Sequence, residues 1–291
     1  MRLSMFLACV VTASLVGASE IWAQETRIRT DANIVTALDV SDSIGRYEQW
    51  IERDGLARAI THPAFLDAVA SGRWASVGFA VFTWSSEGRS QILIPWTVIK
   101  NAEDAKLISR HLLSVSLIDE SQFSGGDREE LHVVRTDDRL TDVSEAIDLA
   151  SHHLASAPFV GARSVMNIVG NGMDNVAAGP LQARNRAMHR GFTINGLVVG
   201  RDLPSVVEHY RTEVIGGPGA FLLEVADPEH VRKAFVAKLR LDIAGACPLA
   251  EPPASLIASP GTILRFEPSR RTAQPALATY LQSSSACVAS K

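Results

Sequence analysis

The chain has 291 residues, of which 46% are hydrophobic and 21% charged, with a formal net charge of -4. That is the composition of one or two globular domains, and it excludes a disordered, collagenous or membrane-embedded chain. The mild acidity argues against a broad nucleic-acid-binding surface, which needs a basic footprint. Three cysteines are too few for a disulfide-dense scaffold, and the odd one needs an explanation.

Residues 1–23 (MRLSMFLACVVTASLVGASEIWA) supply that explanation. Arg2 precedes a short apolar run, and small residues follow at Gly17, Ala18, Ser19 and Ala23, the pattern of a secretory signal peptide. The run is shorter than the roughly 20 residues a spanning helix needs. Cleavage is expected after Ala23, with Ser19 the alternative. The protein is thus expected to be exported, periplasmic or secreted, without stable membrane insertion. Cys9 leaves with the signal. Cys247 and Cys287 remain, and an oxidising compartment permits a bridge between them.

Beyond the signal, strand and helix patterns alternate. Residues 34–40 (IVTALDV) read as a buried strand ending near Asp39. A helix is expected over residues 47–60, with Tyr47, Trp50 and Ile51 at helical spacing and Gly55 weakening the pattern. Residues 77–84 and 91–98 read as consecutive strands, and Pro95 puts the second at an edge or a bulge. Asn101 and Asp104 open a helix carrying Ala105, Ile108 and Leu112 on one face. The charged stretch 119–140 reads as a surface loop. Thr141 then looks like a helix N-cap, followed by Val143, Ile147, Ala150 and Leu154 at amphipathic spacing. Strands are expected at 164–169, 192–199 and 221–225. Helices should open at Gly179-Pro180 and at Asp227-Pro228, because proline suits the first helical position.

Strands separated by helices imply parallel pairing through right-handed crossovers. The expected fold is α/β: a doubly wound, mostly parallel sheet with one antiparallel edge strand and helices on both faces. It would span residues 34–244. Six of the 13 prolines fall within residues 247–275, so residues 245–291 read as a Pro-rich, mostly irregular C-terminal extension.

One constellation carries chemistry. In doubly wound folds, ligands bind beyond the carboxyl ends of the strands, where strand order reverses. The first strand runs into Asp39-Val40-Ser41-Asp42-Ser43, which offers one carboxylate and two hydroxyls at alternating positions. Oxygen donors with an incomplete shell suit Mg²⁺, Mn²⁺ or Ca²⁺. As an alternative, Asp39, Ser41 and Ser43 are ordinary turn residues and Thr141 a plain cap.

The Asp39-x-Ser41-x-Ser43 pattern after an apolar strand resembles the metal-ion-dependent adhesion site of von Willebrand factor A domains. More narrowly, the chain resembles an exported bacterial family of that fold, the domain of unknown function 1194 family. The resemblance rests on residues 37–41 (ALDVS), Trp84-Ser85, residues 94–97 (IPWT), 157–159 (APF), 193–197 (TINGL) and 214–221 (VIGGPGAF). It implies a metal held by Asp39, Ser41 and Ser43, with Thr141 the candidate in a second loop. The family pattern has Gly-Asp-Gly in the third loop, where this chain has Gly170-Asn171-Gly172. Asn171 keeps an oxygen and loses a charge, which Asp174 or Asp42 could restore.

The expected function is an exported, non-enzymatic protein-binding module, whose metal accepts a carboxylate from a partner protein. A metal-independent interaction or structural protein is the alternative. A metal-dependent hydrolase is disfavoured, because Ser41 stands where a phosphatase of the haloacid dehalogenase type carries its second Asp. His152 and His153, adjacent on one helix, point to different sides. The Ile215-Gly216-Gly217-Pro218-Gly219 run lacks the Gly-Lys-Ser/Thr ending of a nucleotide loop and reads as a tight turn.

Overall fold

The computed structural model describes residues 27–41, 44–86, 89–117, 141–176, 179–201, 203–244 and, as backbone, 262–266. The signal segment, Asp42, Ser43, the whole charged stretch 119–140, Cys247 and Cys287 lie outside the described residues.

In chain order the strands are β1 (Arg29–Thr30), β2 (Ala32–Asp39), β3 (Val77–Trp84), β4 (Ser90–Ile99), β5 (Val160–Gly161), β6 (Ser164–Gly170), β7 (Thr193–Val199), β8 (Phe221–Val225) and β9 (Thr262–Phe266). Every residue of β2, β3 and β7 is buried. Such uninterrupted apolar runs form the interior strands of a parallel sheet covered on both faces. The sheet order is β4-β3-β2-β6-β7-β8-β9. All neighbours are parallel except β3 and β4, which are antiparallel. The register of β3 against β4 shifts between Phe79 and Phe82, opposite Pro95, so the proline sits on an edge strand at a bulge. β1 and β5 form a separate parallel pair. Within the extension expected to be mostly irregular, Thr262–Phe266 adds the seventh strand alongside β8.

The helices are α1 (Arg46–Ile60), α2 (Pro63–Ala70), α3 (Ala102–Ser114), α4 (Val143–Ala155), α5 (Leu181–His189), α6 (Pro204–His209) and α7 (Val231–Ala244). α1, α2, α3 and α7 cover one face through residues such as Leu56, Phe65, Ile108 and Phe235. α4, α5 and α6 cover the other through Ile147, Leu154, Ala187 and Val207. Gly55 lies inside the continuous helix α1. A β-carbon there would lie 2.9 Å from Val231 Cγ1, so the glycine lets α1 and α7 cross closely. Tyr47 and Trp50 stand outward, 63% and 47% exposed, while Ile51 faces the core. One detail differs from the sequence reading: the cap of α4 is Asp142, whose side chain accepts the Glu145 N–H at 2.8 Å, and not Thr141. Asn101 caps α3 as expected, accepting from Glu103 and Asp104.

A polar cluster lies between α7 and the sheet. Asp242 is fully buried and accepts from the side-chain amides of Asn167 at 2.7 Å and Asn195 at 2.8 Å. The Lys238 ammonium is 3.9 Å from the same carboxylate and 4.6 Å from the centre of the Phe221 ring.

Candidate functional site

β2 leaves through α1 to β3 on one side and borders β6 on the other. The crevice between the ends of β2 and β6 is therefore the switch point of the sheet, where a doubly wound fold places its ligand. Asp39 ends β2 there. The Val40 N–H donates to the Trp84 carbonyl at 2.9 Å, after which the chain turns away. The Ser41 N–H donates to Asp39 Oδ1 at 2.7 Å, closing an Asx turn. Asp39 and Ser41 are both buried. Burial pushes the Asp39 carboxyl up to about 6, against the opposing pull of donors from Ser41 and the Asn171 N–H.

Among the described residues, Asp39 Oδ2 has no hydrogen-bond partner. A β-carbon on Gly170 would sit 2.8 Å from this oxygen, so the end of β6 must be glycine for the carboxylate to fit.

Thr141 and Asp174 form a second group at the start of α4. The Thr141 N–H donates to Asn175 Oδ1 at 2.7 Å, and the Asn175 N–H returns to the Thr141 carbonyl at 3.1 Å. Asp174 Oδ2 accepts the Ser144 N–H at 3.0 Å and the Ser144 hydroxyl at 3.3 Å. Its Oδ1 accepts the Val176 N–H at 3.1 Å. The structure thus brings Asp39, Ser41 and Asn171 together, and joins Thr141 to Asp174 through the segment 171–175. Ser43 lies outside the described residues.

These atoms allow a test of fit to a hard cation. At the first loop the fit is good: a buried carboxylate oxygen without a partner stands beside the buried Ser41. At the third loop it is not, because Asn171 is neutral and both Asp174 oxygens are engaged with Ser144 and Val176. Among the described residues, no three of His, Cys, Asp and Glu form a metal-holding group. The site is therefore one of few acids and several hydroxyls.

Two further buried polar groups were not read from the sequence, and the second, Tyr210, reaches this crevice at the end of β6. Glu52 of α1 is 0% exposed and both its side-chain oxygens lack partners among the described residues. Tyr210 is equally buried, its hydroxyl also unpartnered, and it opens a π-helical turn, Tyr210–Val214. Glu52 was legible as an acid in line with Leu56 and Ile60 on the apolar face of α1. Tyr210 carried no such signal.

The remaining candidates fall away. His153 packs on Phe82 at 5.0 Å while His152 is exposed. Gly217 and Gly219 both have positive φ, as the tight turn before β8 requires. Trp84 is a core residue, and the Trp96 indole N–H donates to the His153 carbonyl at 3.0 Å.

A doubly wound sheet with one antiparallel edge and an Asp-x-Ser turn at its switch point defines the von Willebrand factor A type of fold. Solved structures that share it include the following three. A von Willebrand factor type A protein from Catenulispora acidiphila is 14% identical, with a TM-score of 0.50, covering 74% of this chain and 43% of that one. Proximal thread matrix protein 1 from the mussel byssus is 16% identical at a TM-score of 0.50, covering 76% and 48%. The pilus adhesin SpaC from Lactobacillus rhamnosus GG is 12% identical at 0.50, covering 76% and 31%. The matched region is less than half of each of those chains, and the likeness is one of fold. The chain belongs to the family Protein of unknown function (DUF1194), whose model matches residues 29–247. Among curated proteins, none matches it.

Proposed function

We propose that this protein is an exported interaction module that binds a divalent cation at Asp39 and, through it, a carboxylate of a partner protein. The observation that carries the reading is Asp39 Oδ2, a buried carboxylate oxygen without a partner at the switch point of the sheet. Buried charge persists where it is paired or coordinates a metal. Asp39, Ser41, Ser43 and Thr141 supply the donors, with Asn171 as a neutral one, and Asp174 fixes the start of α4. Oxygen donors favour Mg²⁺ or Mn²⁺, with Ca²⁺ also accommodated. The reading needs no turnover. Export rests on the signal pattern of residues 1–23. Among the described residues, no helix is long and apolar enough to cross a membrane.

A second reading, metal-independent binding, is favoured by one observation: the third loop offers no uncommitted carboxylate. Partner capture with and without chelator separates the two. Under the first reading, chelator and Asp39→Ala each abolish capture. Capture unaffected by either supports the second.

A further inference from the structure

α1 carries an aromatic pair that the core does not use. The rings of Tyr47 and Trp50 stack with centres 6.3 Å apart, and both residues are exposed. Tyrosine and tryptophan are enriched where protein surfaces meet and anchor such contacts. Here they border a groove of about 310 Å³ between α1 and the start of α7, lined further by Ile51, Gly55, Pro228 and Val231. At its rim the acids Asp54 and Glu229 balance Arg58 and Arg232, so the groove carries no net charge. Its volume is at the lower limit for a small-molecule pocket and suits a few apolar side chains.

The chain supplies such side chains itself. β9 runs parallel to β8 with Phe266 opposite Val225, three residues before Pro228 of the groove. Residue 267 therefore leaves the sheet at the end where the groove begins. Residues 267–291 read EPSRRTAQPALATYLQSSSACVASK. No charged residue falls between Thr272 and Ser290, in a chain that is 21% charged. Segments that stay in water are instead rich in charge and poor in large apolar residues. Leu277, Tyr280 and Leu281 recur at i, i+3 and i+4, the spacing of a helical apolar stripe, and Pro275 suits the first turn of such a helix. The reach is sufficient. From β9 to β2, which leads into α1, is four strand spacings, about 19 Å. Residues 267–274, fully extended, cover up to roughly 26–29 Å.

We propose that residues 275–281 of this same chain dock in the groove between α1 and α7, seating Leu277, Tyr280 and Leu281 against Tyr47 and Trp50. An uncharged apolar stripe meets a groove without net charge. Because the segment is tethered through β9, its effective concentration at the groove is high, and a contact too small to hold a separate partner suffices. The contact does not involve the cation, so it stands or falls apart from the reading at Asp39.

Photo-crosslinking of the full chain tests this, with benzoylphenylalanine in place of Tyr47 and the tryptic peptides mapped by mass spectrometry. Cleavage after Arg271 releases residues 272–291 as one peptide. The expected result is a crosslink from position 47 to that peptide, in protein that still runs as a monomer on a denaturing gel. The double substitution Leu277→Ser, Leu281→Ser is expected to lower its yield roughly tenfold or more, the effect of losing two buried apolar anchors. Circular dichroism checks that this variant keeps its fold. A crosslink to a second copy, to another segment of this chain or to a different protein, or no crosslink at all, overturns the proposal. So does an equal yield in the folded double variant.

Discussion

Asp39 and Gly170 face each other across the ends of two adjacent parallel strands, so closely that a β-carbon on Gly170 would lie 2.8 Å from Asp39 Oδ2 and 3.2 Å from Asp39 Cβ. Asp39 is short and buried, and cannot swing aside. Gly170→Ala is therefore expected to destabilise the fold by about 1–3 kcal/mol through overpacking, and to weaken divalent binding by displacing the carboxylate. Urea denaturation checks the first effect. Unchanged stability would mean that the crevice yields more readily than its packing indicates.

The carboxylate at Asp39 works against stability in the metal-free protein. Its pKa is pushed up to about 6 by burial, so at neutral pH an unpaired charge is held away from water. Asp39→Asn is expected to raise metal-free stability at pH 7 by about 1–3 kcal/mol, the size of shift that a few pKa units represent. Thermal denaturation in the presence of chelator measures it. A functional group that costs stability is the usual sign of a site.

Asn171→Asp is expected to tighten Mn²⁺ binding by roughly tenfold, since carboxylate count tunes the affinity of oxygen-donor sites. The Asn171 N–H already points toward Asp39, so the loop is in place and only the charge is missing. Titration calorimetry of that variant would reveal an unchanged affinity if residue 171 lies away from the cation.

The buried pair under α7 gives a pH signature away from the site. Burial pushes Lys238 down to about 8, against the upward pull of Asp242. Asp242 is raised by burial and held back by Lys238, by Asn167 and Asn195, and by Arg163. An unfolded lysine keeps its proton to higher pH than the buried one does. Above about pH 8 the unfolded state therefore binds more protons, and this lysine makes stability rise with pH. Below that, its burial cost is fully present. Lys238→Met should remove the rise. Asp242→Ala should cost about 3–5 kcal/mol, because it strands a buried ammonium. Denaturation curves of both variants at pH 7 and pH 9.5 decide the sign.

Much of this fold can be read from residue order, for a physical reason. β3 and β8 coincide with apolar runs because buried parallel strands need them on both faces. α4 is evident because Val143, Ile147, Ala150 and Leu154 recur at helical spacing, and all are buried. What escaped reading depends on tertiary contact. Gly55 weakens the helical pattern until Val231 is placed against it. α2 is only eight residues long, with Phe65 and Val69 as its buried anchors. β9 is a strand by virtue of pairing with β8. At the site, Asp39 and Ser41 are local in sequence and share one turn, so their proximity is legible. Tyr210 is 171 positions from Asp39, and only the parallel order of β2, β6 and β7 brings it near. Glu52 resembles any solvated acid in the Glu-Arg-Asp run of α1 until its neighbours at Leu56 and Ile60 are weighed.

The central claim, a divalent cation held at Asp39, is tested most directly by the melting temperature of the full chain as Mn²⁺ is added. A ligand bound only by the folded state adds about 2.7 kcal/mol at a hundredfold excess over its Kd. The account predicts a saturable rise for the wild-type protein and none for Asp39→Asn. No rise in the wild-type protein, or an equal rise in both, would contradict it.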